Sequence, residues 1–327
     1  MTRRTFVAAF FSVAALLTSQ GPSPLAAQEF PSRTIRIISP FPPGAGPDVM
    51  IRILGESLSA ILKQPVVIEA KPGGSGIPAM EAIKSAPPDG HVLGLTSDQN
   101  LTILPHINPS IPYDPKMDFT PVSRILSSSY FVLVASKGPY SSLKDLIADA
   151  RSAPRKVSFG TQAIGSQAHL GAALFGSLIG AEMVLVPYRD MSQLFLNIGN
   201  GDVGWVLSTA ASASAFLQNG TIKPLAIAQR ARSPQFPDVP TVAEAAGFEF
   251  ESAPWLALVG PRGLPPAVVA QLNAAVKTAV AEQRMQDWLR SVVFDARTGS
   301  PEDLRTIIAD DLNKNAELVK RIGPIQQ

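Results

Sequence analysis

Short runs rich in β-branched and apolar residues alternate with stretches of helical periodicity along almost the whole chain. This alternation constrains the fold more than any other feature. The spacing predicts strands at Thr34 to Ser39, Pro65 to Glu69, Val92 to Thr96, Phe131 to Ala135, Lys156 to Gly160, Met183 to Pro187, Val203 to Leu207, Leu225 to Ala228 and Trp255 to Val259. Between them, Pro47 to Leu62, Ser142 to Ala150, Ser166 to Ile179, Met191 to Ile198 and Val268 to Val280 repeat apolar residues at helical spacing. Such alternation argues for βαβ units and mainly parallel sheets, an α/β fold buried on both faces.

The chain has 327 residues, room for two domains of ordinary size. Its prolines suggest where the domains meet. One cluster, Pro105, Pro109, Pro112, Pro115 and Pro121, precedes the apolar run 131–135; a second, Pro234, Pro237, Pro240 and Pro254, precedes the run 255–259. If both mark crossings, residues 28–136 and 251–327 form a discontinuous first lobe and 137–250 a second. A ligand would then sit in the cleft between them, at the carboxyl ends of strands.

With 46% hydrophobic and 17% charged residues, the chain can bury enough apolar surface to offset the entropy of ordering. Arg3 and Arg4, the apolar stretch Phe6 to Leu17, a polar segment and Ala26-Ala27 have the layout of a secretory signal peptide over residues 1–27, cleaved near Ala27. The apolar stretch is about a dozen residues, short of the roughly 20 that span a bilayer. The paired arginines fit general secretory or twin-arginine export. Their removal leaves 26 basic against 26 acidic residues. No basic run offers a nucleic-acid surface. The expectation is a soluble, exported protein.

Three loops can hold a ligand. Pro40-Phe41-Pro42-Pro43-Gly44-Ala45-Gly46-Pro47-Asp48 joins a strand to a helix, with Gly46 able to cap and Asp48 in the first turn. Its glycines let backbone amides approach an anion, although Asp48 already uses part of the favourable potential. The second loop, Gly160 to Leu170, offers Thr161, Gln162, Ser166 and Gln167 as neutral donors, with Ser166 as N-cap. The third, Val186 to Asp190, ends in a capping box of Asp190 and Gln193. His169 reads first as a packed histidine, Trp205 and Trp255 as core anchors, and Arg189 equally as a carboxylate partner or a solvated side chain. The small-residue stretch Ala210 to Ala215 reads as tight helix packing.

Enzyme signatures are missing: there is no GxSxG, GxxxxGK, GxGxxG or HExxH. Zero cysteines and three histidines leave little for metal or nucleophilic chemistry, so no metal, cofactor or catalytic residue is assigned.

The residues that remain carry a resemblance. Pro40-Phe41-Pro42-Pro43-Gly44 with Asp48, Gln64-Pro65-Val66-Val67, Lys71-Pro72-Gly73-Gly74, Ala86-Pro87-Pro88-Asp89-Gly90, Tyr113-Asp114-Pro115, Asp118 to Val122, Val186-Pro187-Tyr188 and Phe236 to Glu244 occur in this order. Together they resemble the Bug family of extracytoplasmic solute-binding receptors of tripartite tricarboxylate transporters, from Phe30 to about residue 320. The resemblance implies a periplasmic monomer of type II periplasmic-binding-protein fold, with two α/β lobes closing on a small carboxylate that is delivered to two membrane subunits. It points to Phe41, Pro43, Gly44 and Ala45, to Thr96 and Ser97, and to Thr161, Ser166 and His169 as ligand contacts. Two departures bear on ligand choice. Asp190 stands in Tyr188-Arg189-Asp190 where relatives often have glycine, adding a carboxylate near the cleft, and Gly204 stands where an aspartate is usual. Two other readings stay open: a receptor reporting to a membrane sensor kinase, and an exported hydrolase with a carboxylate pair.

Overall fold

The computed structural model describes residues 30–162 and 164–322. The expected signal peptide and its cleavage site lie outside the described residues. The chain opens with β1 (Ile35–Ser39), α1 (Gly46–Leu62), β2 (Val66–Ala70), α2 (Ile77–Lys84) and β3 (Val92–Ser97). A π-type turn, Gln99–Ile103, leads through α3 (Leu104–Ile107) to β4 (Phe119–Ser127). Next come β5 (Tyr130–Ala135), α4 (Leu143–Ser152), β6 (Ser158–Thr161), α5 (Gln167–Leu178), β7 (Val184–Pro187) and α6 (Met191–Asn200). They are followed by β8 (Trp205–Thr209), α7 (Ala210–Gln218), β9 (Ile222–Ile227) and α8 (Val242–Ala246). The chain closes with β10 (Trp255–Pro261), α9 (Pro266–Ala281), α10 (Gln283–Ser291), β11 (Asp295–Ala296) and α11 (Pro301–Ile322).

The strands form two sheets. One has the order β11-β4-β10-β3-β1-β2 and the other β7-β6-β8-β5-β9. The expected α/β architecture holds, but the sheets are mixed rather than mainly parallel. β1 pairs in parallel with β2 and β3, and β6 with β7 and β8. β10 and β5, the strands nearest the passage between sheets, run antiparallel to every neighbour they pair with. β5 also differs from the expected boundary: it belongs to the second sheet, so the chain changes sheets at Ser128 and Ser129. The reason is physical. The proline cluster that suggested a crossing ends inside β4, whose Pro121 sits at a register shift of its ladder, where a missing N–H is tolerated.

The strands bury both faces. Along β5, Phe131 and Leu133 enter one cluster with Leu194 and Phe195, while Val132 and Val134 enter another with Phe175 and Trp205. This is the two-residue period of a pleated strand covered on both sides. In the first sheet, Ile51, Leu54 and Leu58 of α1 share a core with Leu272 and Val276 of α9. On its other face Met80 and Ile83 meet Leu304 and Ile308 of α11. Each fully buried aliphatic chain contributes about 1.5–3 kcal/mol. α2 lies so close to β3 that a Cβ on Gly94 would come 2.1 Å from Ile83 Cδ1.

The two passages between sheets are laced together. Ser128 N donates to Pro254 O at 2.9 Å and Tyr130 N to Ser252 O at 3.4 Å. Ser252 N donates to Ala228 O at 3.0 Å, and Ala228 N to Tyr130 O at 2.8 Å.

Candidate functional site

Three helices of the second sheet start beside one another. α5 is capped by Ser166, whose Oγ accepts from His169 N; α6 by Asp190, which accepts from Gln193 N; and α7 by Thr209, which accepts from Ser212 N. Each cap satisfies an otherwise orphaned first-turn amide. The capping box expected at α6 closes on one side only, because Gln193 Nε2 instead donates forward to Asn197 Oδ1 at 2.9 Å.

A cavity of about 250 Å³ opens at these helix starts. Its wall includes Thr161 and Gln162 at the end of β6, Ser166, Ser208 and Thr209 at the end of β8, and Met191 at the start of α6. Gln99, just after β3, and Tyr130, at the head of β5, join it together with Ser212 and the apolar Ala168, Val206 and Leu207, so both halves contribute. None of its lining residues carries a charge. The starts of α5 and α7, capped by neutral hydroxyls, bring the positive ends of two macrodipoles, while that of α6 is answered in part by its Asp190 cap. The Thr161 and Ser166 hydroxyls lie 3.4 Å apart, and those of Thr209 and Ser212 3.0 Å apart. The Tyr130 hydroxyl stays protonated, since burial, with Asp98 nearby, pushes its pKa up. Hydroxyls, first-turn amides and converging dipoles can receive an anionic group without a formal countercharge.

Of the residues expected at the ligand, Thr161 and Ser166 line this cavity. His169 stands behind them: it is 8% exposed, its Nδ1 accepts from Gly165 N at 2.9 Å, and its ring stacks on Phe159. Burial lowers its pKa, so the neutral ring is favoured and fixes the curve of the loop. Asp190 is exposed, holding the start of α6.

The loop of Phe41, Pro43, Gly44 and Ala45 lies outside the cavity wall, and its amides are already engaged. Phe41 N donates to Ser39 Oγ at 3.3 Å, Gly44 N to Asp48 Oδ2 at 2.9 Å and Ala45 N to Pro42 O at 3.2 Å. Ala45, rather than Gly46, is the N-cap residue. Asp48, 2% exposed, also pairs with Arg52 at 2.9 Å, and this hydrogen bond foremost holds its carboxyl below the usual range. The favourable potential at this helix start is therefore taken up by an internal carboxylate.

Thr96 is fully buried, with Oγ1 directed at Met80 Sδ, and Ser97 Oγ donates to Asn100 Oδ1 at 3.0 Å. Gly204 precedes β8, at the opposite end of that strand from Thr209. Its amide donates to Ser158 Oγ at 3.1 Å, and a Cβ there would stand 2.8 Å from Ser158 O. Its position bears on sheet packing rather than on the cavity, because parallel β6 and β8 start together. Trp205 is core, as expected; Trp255 is buried and donates Nε1 to Asp311 Oδ2 at 2.8 Å.

Gln99, Tyr130, Ser208 and Thr209 had escaped the sequence reading. Thr209 carried a usable signal, a hydroxyl residue directly ahead of a helix-forming, alanine-rich stretch.

Comparison with known proteins adds a second line of observation. Residues 50–324 match the profile described as the Tripartite tricarboxylate transporter family receptor. Protein BugT of Bordetella pertussis is 32% identical over 324 residues, covering 99% of this chain and 98% of that protein. Among solved structures, a Rhodopseudomonas palustris protein determined with adipate is 29% identical with a TM-score of 0.75, covering 89% of this chain and 98% of that one. MatC from the same organism, determined with bound malate, is 26% identical with a TM-score of 0.72, over 89% of this chain and 100% of that one.

Proposed function

Because this chain belongs to the tripartite tricarboxylate transporter receptor family, we propose that it is an exported periplasmic receptor that captures a small organic carboxylate in the cavity at the starts of α5, α6 and α7. One observation carries this reading: a cavity of about 250 Å³ walled by uncharged hydroxyl, amide and aromatic groups where three helix N-termini converge. Adipate and malate in the solved relatives belong to the same ligand class.

In this reading a carboxylate accepts hydrogen bonds from the hydroxyls of Thr161, Ser166 and Thr209 and from first-turn amides. Gln99 and Tyr130 supply contacts from the other side. Closing residues 30–127 and 255–322 against residues 130–227 excludes water, and each polar contact strengthens as the local dielectric falls. The ligand must favour the closed arrangement, since equal affinity for both would shift nothing. The loaded monomer would then dock on two membrane subunits. Members of the family are receptors, so no bond of the ligand is made or broken.

The test is a calorimetric titration and thermal-shift series on the mature protein with malate, adipate and related dicarboxylates. A ligand at 100 times its Kd stabilises by about 2.7 kcal/mol. Ser166→Ala and Thr209→Val should each weaken binding about tenfold. The reading fails if no carboxylate raises the melting temperature.

A further inference from the structure

One buried carboxyl stands directly behind the wall of the carboxylate cavity. Asp98 follows the last residue of β3 and precedes Gln99, which lines the cavity. Tyr130 lines it from the head of β5, and its hydroxyl feels the charge of Asp98 after the larger effect of burial. The carboxyl is thus flanked by two residues of the wall, one from each half of the molecule. It is buried, and its Oδ2 is sealed from solvent with no hydrogen-bond partner. An unpartnered oxygen in that setting supports a negative charge poorly.

The groups around Asp98 leave its charge finely balanced. The backbone amides of Gln99 and Trp255 favour the ionised form, but burial foremost, and then Asp311 of α11, push the carboxyl up to about 7. Asp311 and Tyr130 are the titratable side chains that act on it. The cations of this region, Arg124 on β4 and Lys314 on α11, act on Asp311, where Glu251 and Asp310 add further negative charge.

A carboxylate entering the cavity brings another negative charge to the far side of Gln99 and Tyr130. Neighbouring Cα atoms are about 3.8 Å apart and a glutamine side chain spans the rest, so the two charges would stand on the order of 10 Å apart. Like charges at that separation, largely shielded from water, favour protonation of whichever group holds its proton more readily. The carboxyl of a small ligand, ordinarily near about 4, stays ionised. Asp98 is the group that yields.

We propose that Asp98 sets the affinity of the carboxylate cavity through a proton that it takes up as the ligand enters, so that the receptor holds its ligand more tightly in mildly acid than in mildly alkaline medium. The proposal rests on the carboxylate reading of that cavity. Asp98 touches no ligand and acts across Gln99 and Tyr130. With ligand bound, its pKa lies above the free value of about 7. Affinity is therefore full below the free value, where both states carry the proton, falls as pH rises through it, and levels off above the bound value.

Isothermal titration of the mature protein with malate and with adipate, between about pH 6.5 and about pH 9, tests this. Buffers of unlike ionisation enthalpy count the protons taken up. Affinity should fall severalfold, up to about tenfold, across the range, with net proton uptake on binding. Asp98→Asn should keep the acid-side affinity at every pH and take up no proton. Asp311→Asn, which retains an acceptor for Trp255, should move the fall to lower pH. Burial lowers the pKa of His169, behind the opposite wall, from 6.5, so that ring titrates below this range. Constant affinity, or proton uptake that persists in Asp98→Asn, overturns the proposal and leaves the carboxylate reading standing. Should Asp98→Asn not fold, a wild-type pH profile in Asp311→Asn overturns it equally. If no dicarboxylate of the thermal-shift series binds at any pH, the carboxylate reading itself fails, and this proposal with it.

Discussion

Asp98 shows most clearly how one residue sets a property of the whole. It is buried, its Oδ2 has no hydrogen-bond partner, and burial, reinforced by Asp311, raises its carboxyl pKa from 3.8 to about 7. The folded value lies above the unfolded one, so the folded chain binds this proton more tightly. The resulting stability is complete below the unfolded pKa and is lost as pH rises through about 7, at up to about 1.4 kcal/mol per pH unit. Asp98→Asn should therefore flatten the fall in melting temperature between pH 5 and pH 8 and leave the variant the more stable at pH 8; parallel curves would refute the assignment. Gly204→Asp should destabilise by about 1–3 kcal/mol, because its Cβ meets the Ser158 carbonyl oxygen at 2.8 Å. Urea unfolding measures this, and an unchanged midpoint would mean that β6 yields. At this scale the sequence was partly legible. Ser166 announced itself as a cap, since a hydroxyl ahead of a helix has one dominant use. Asp98 did not, because its raised pKa comes from burial and then from Asp311, far along the chain, and only the fold supplies either.

Elements with local signals were the readable ones. α1 starts where Pro47 and Asp48 said it would, shifted by one residue to an Ala45 cap. α4 has a complete capping box between Ser142 and Asp145, and Ser142→Ala should cost about 1 kcal/mol, seen as a lowered melting temperature with unchanged far-UV dichroism at 25 °C. β4 was hidden, because Pro115 just ahead of it and Pro121 within it disguise a strand whose pairing is settled by β10 and β11. α11 was hidden for the opposite reason. Its charged residues are many, and its buried stripe of Leu304, Ile308 and Leu312 becomes evident only against the first sheet. The Ala210 to Ala215 stretch packs only in part: within α7 Ala210 and Ala213 are buried, while Ser212, Ser214 and Ala215 are exposed and Ser212 lines the cavity.

For the whole molecule, the decisive facts are which sheet each strand joins and what lies between the sheets. Alternation of strand and helix revealed the α/β class, but not the change of sheet at Ser128 and Ser129, two small polar residues with no breaker among them. If carboxylate capture closes the two halves, small-angle scattering should record a smaller radius of gyration at saturating ligand, and Ser166→Ala should need more ligand to reach it. An unchanged radius would mean that the ligand enters a preformed pocket. The short passage imposes a further consequence. Ser128 and Ser129 can reach only about 7 Å even when fully stretched, and they are stitched to the returning strand by Ser128 N–Pro254 O and Tyr130 N–Ser252 O. Neither half can slide away from its companion without tearing that seam, so the compliant motion is a twist about it, like a pair of pages turning on one stapled spine.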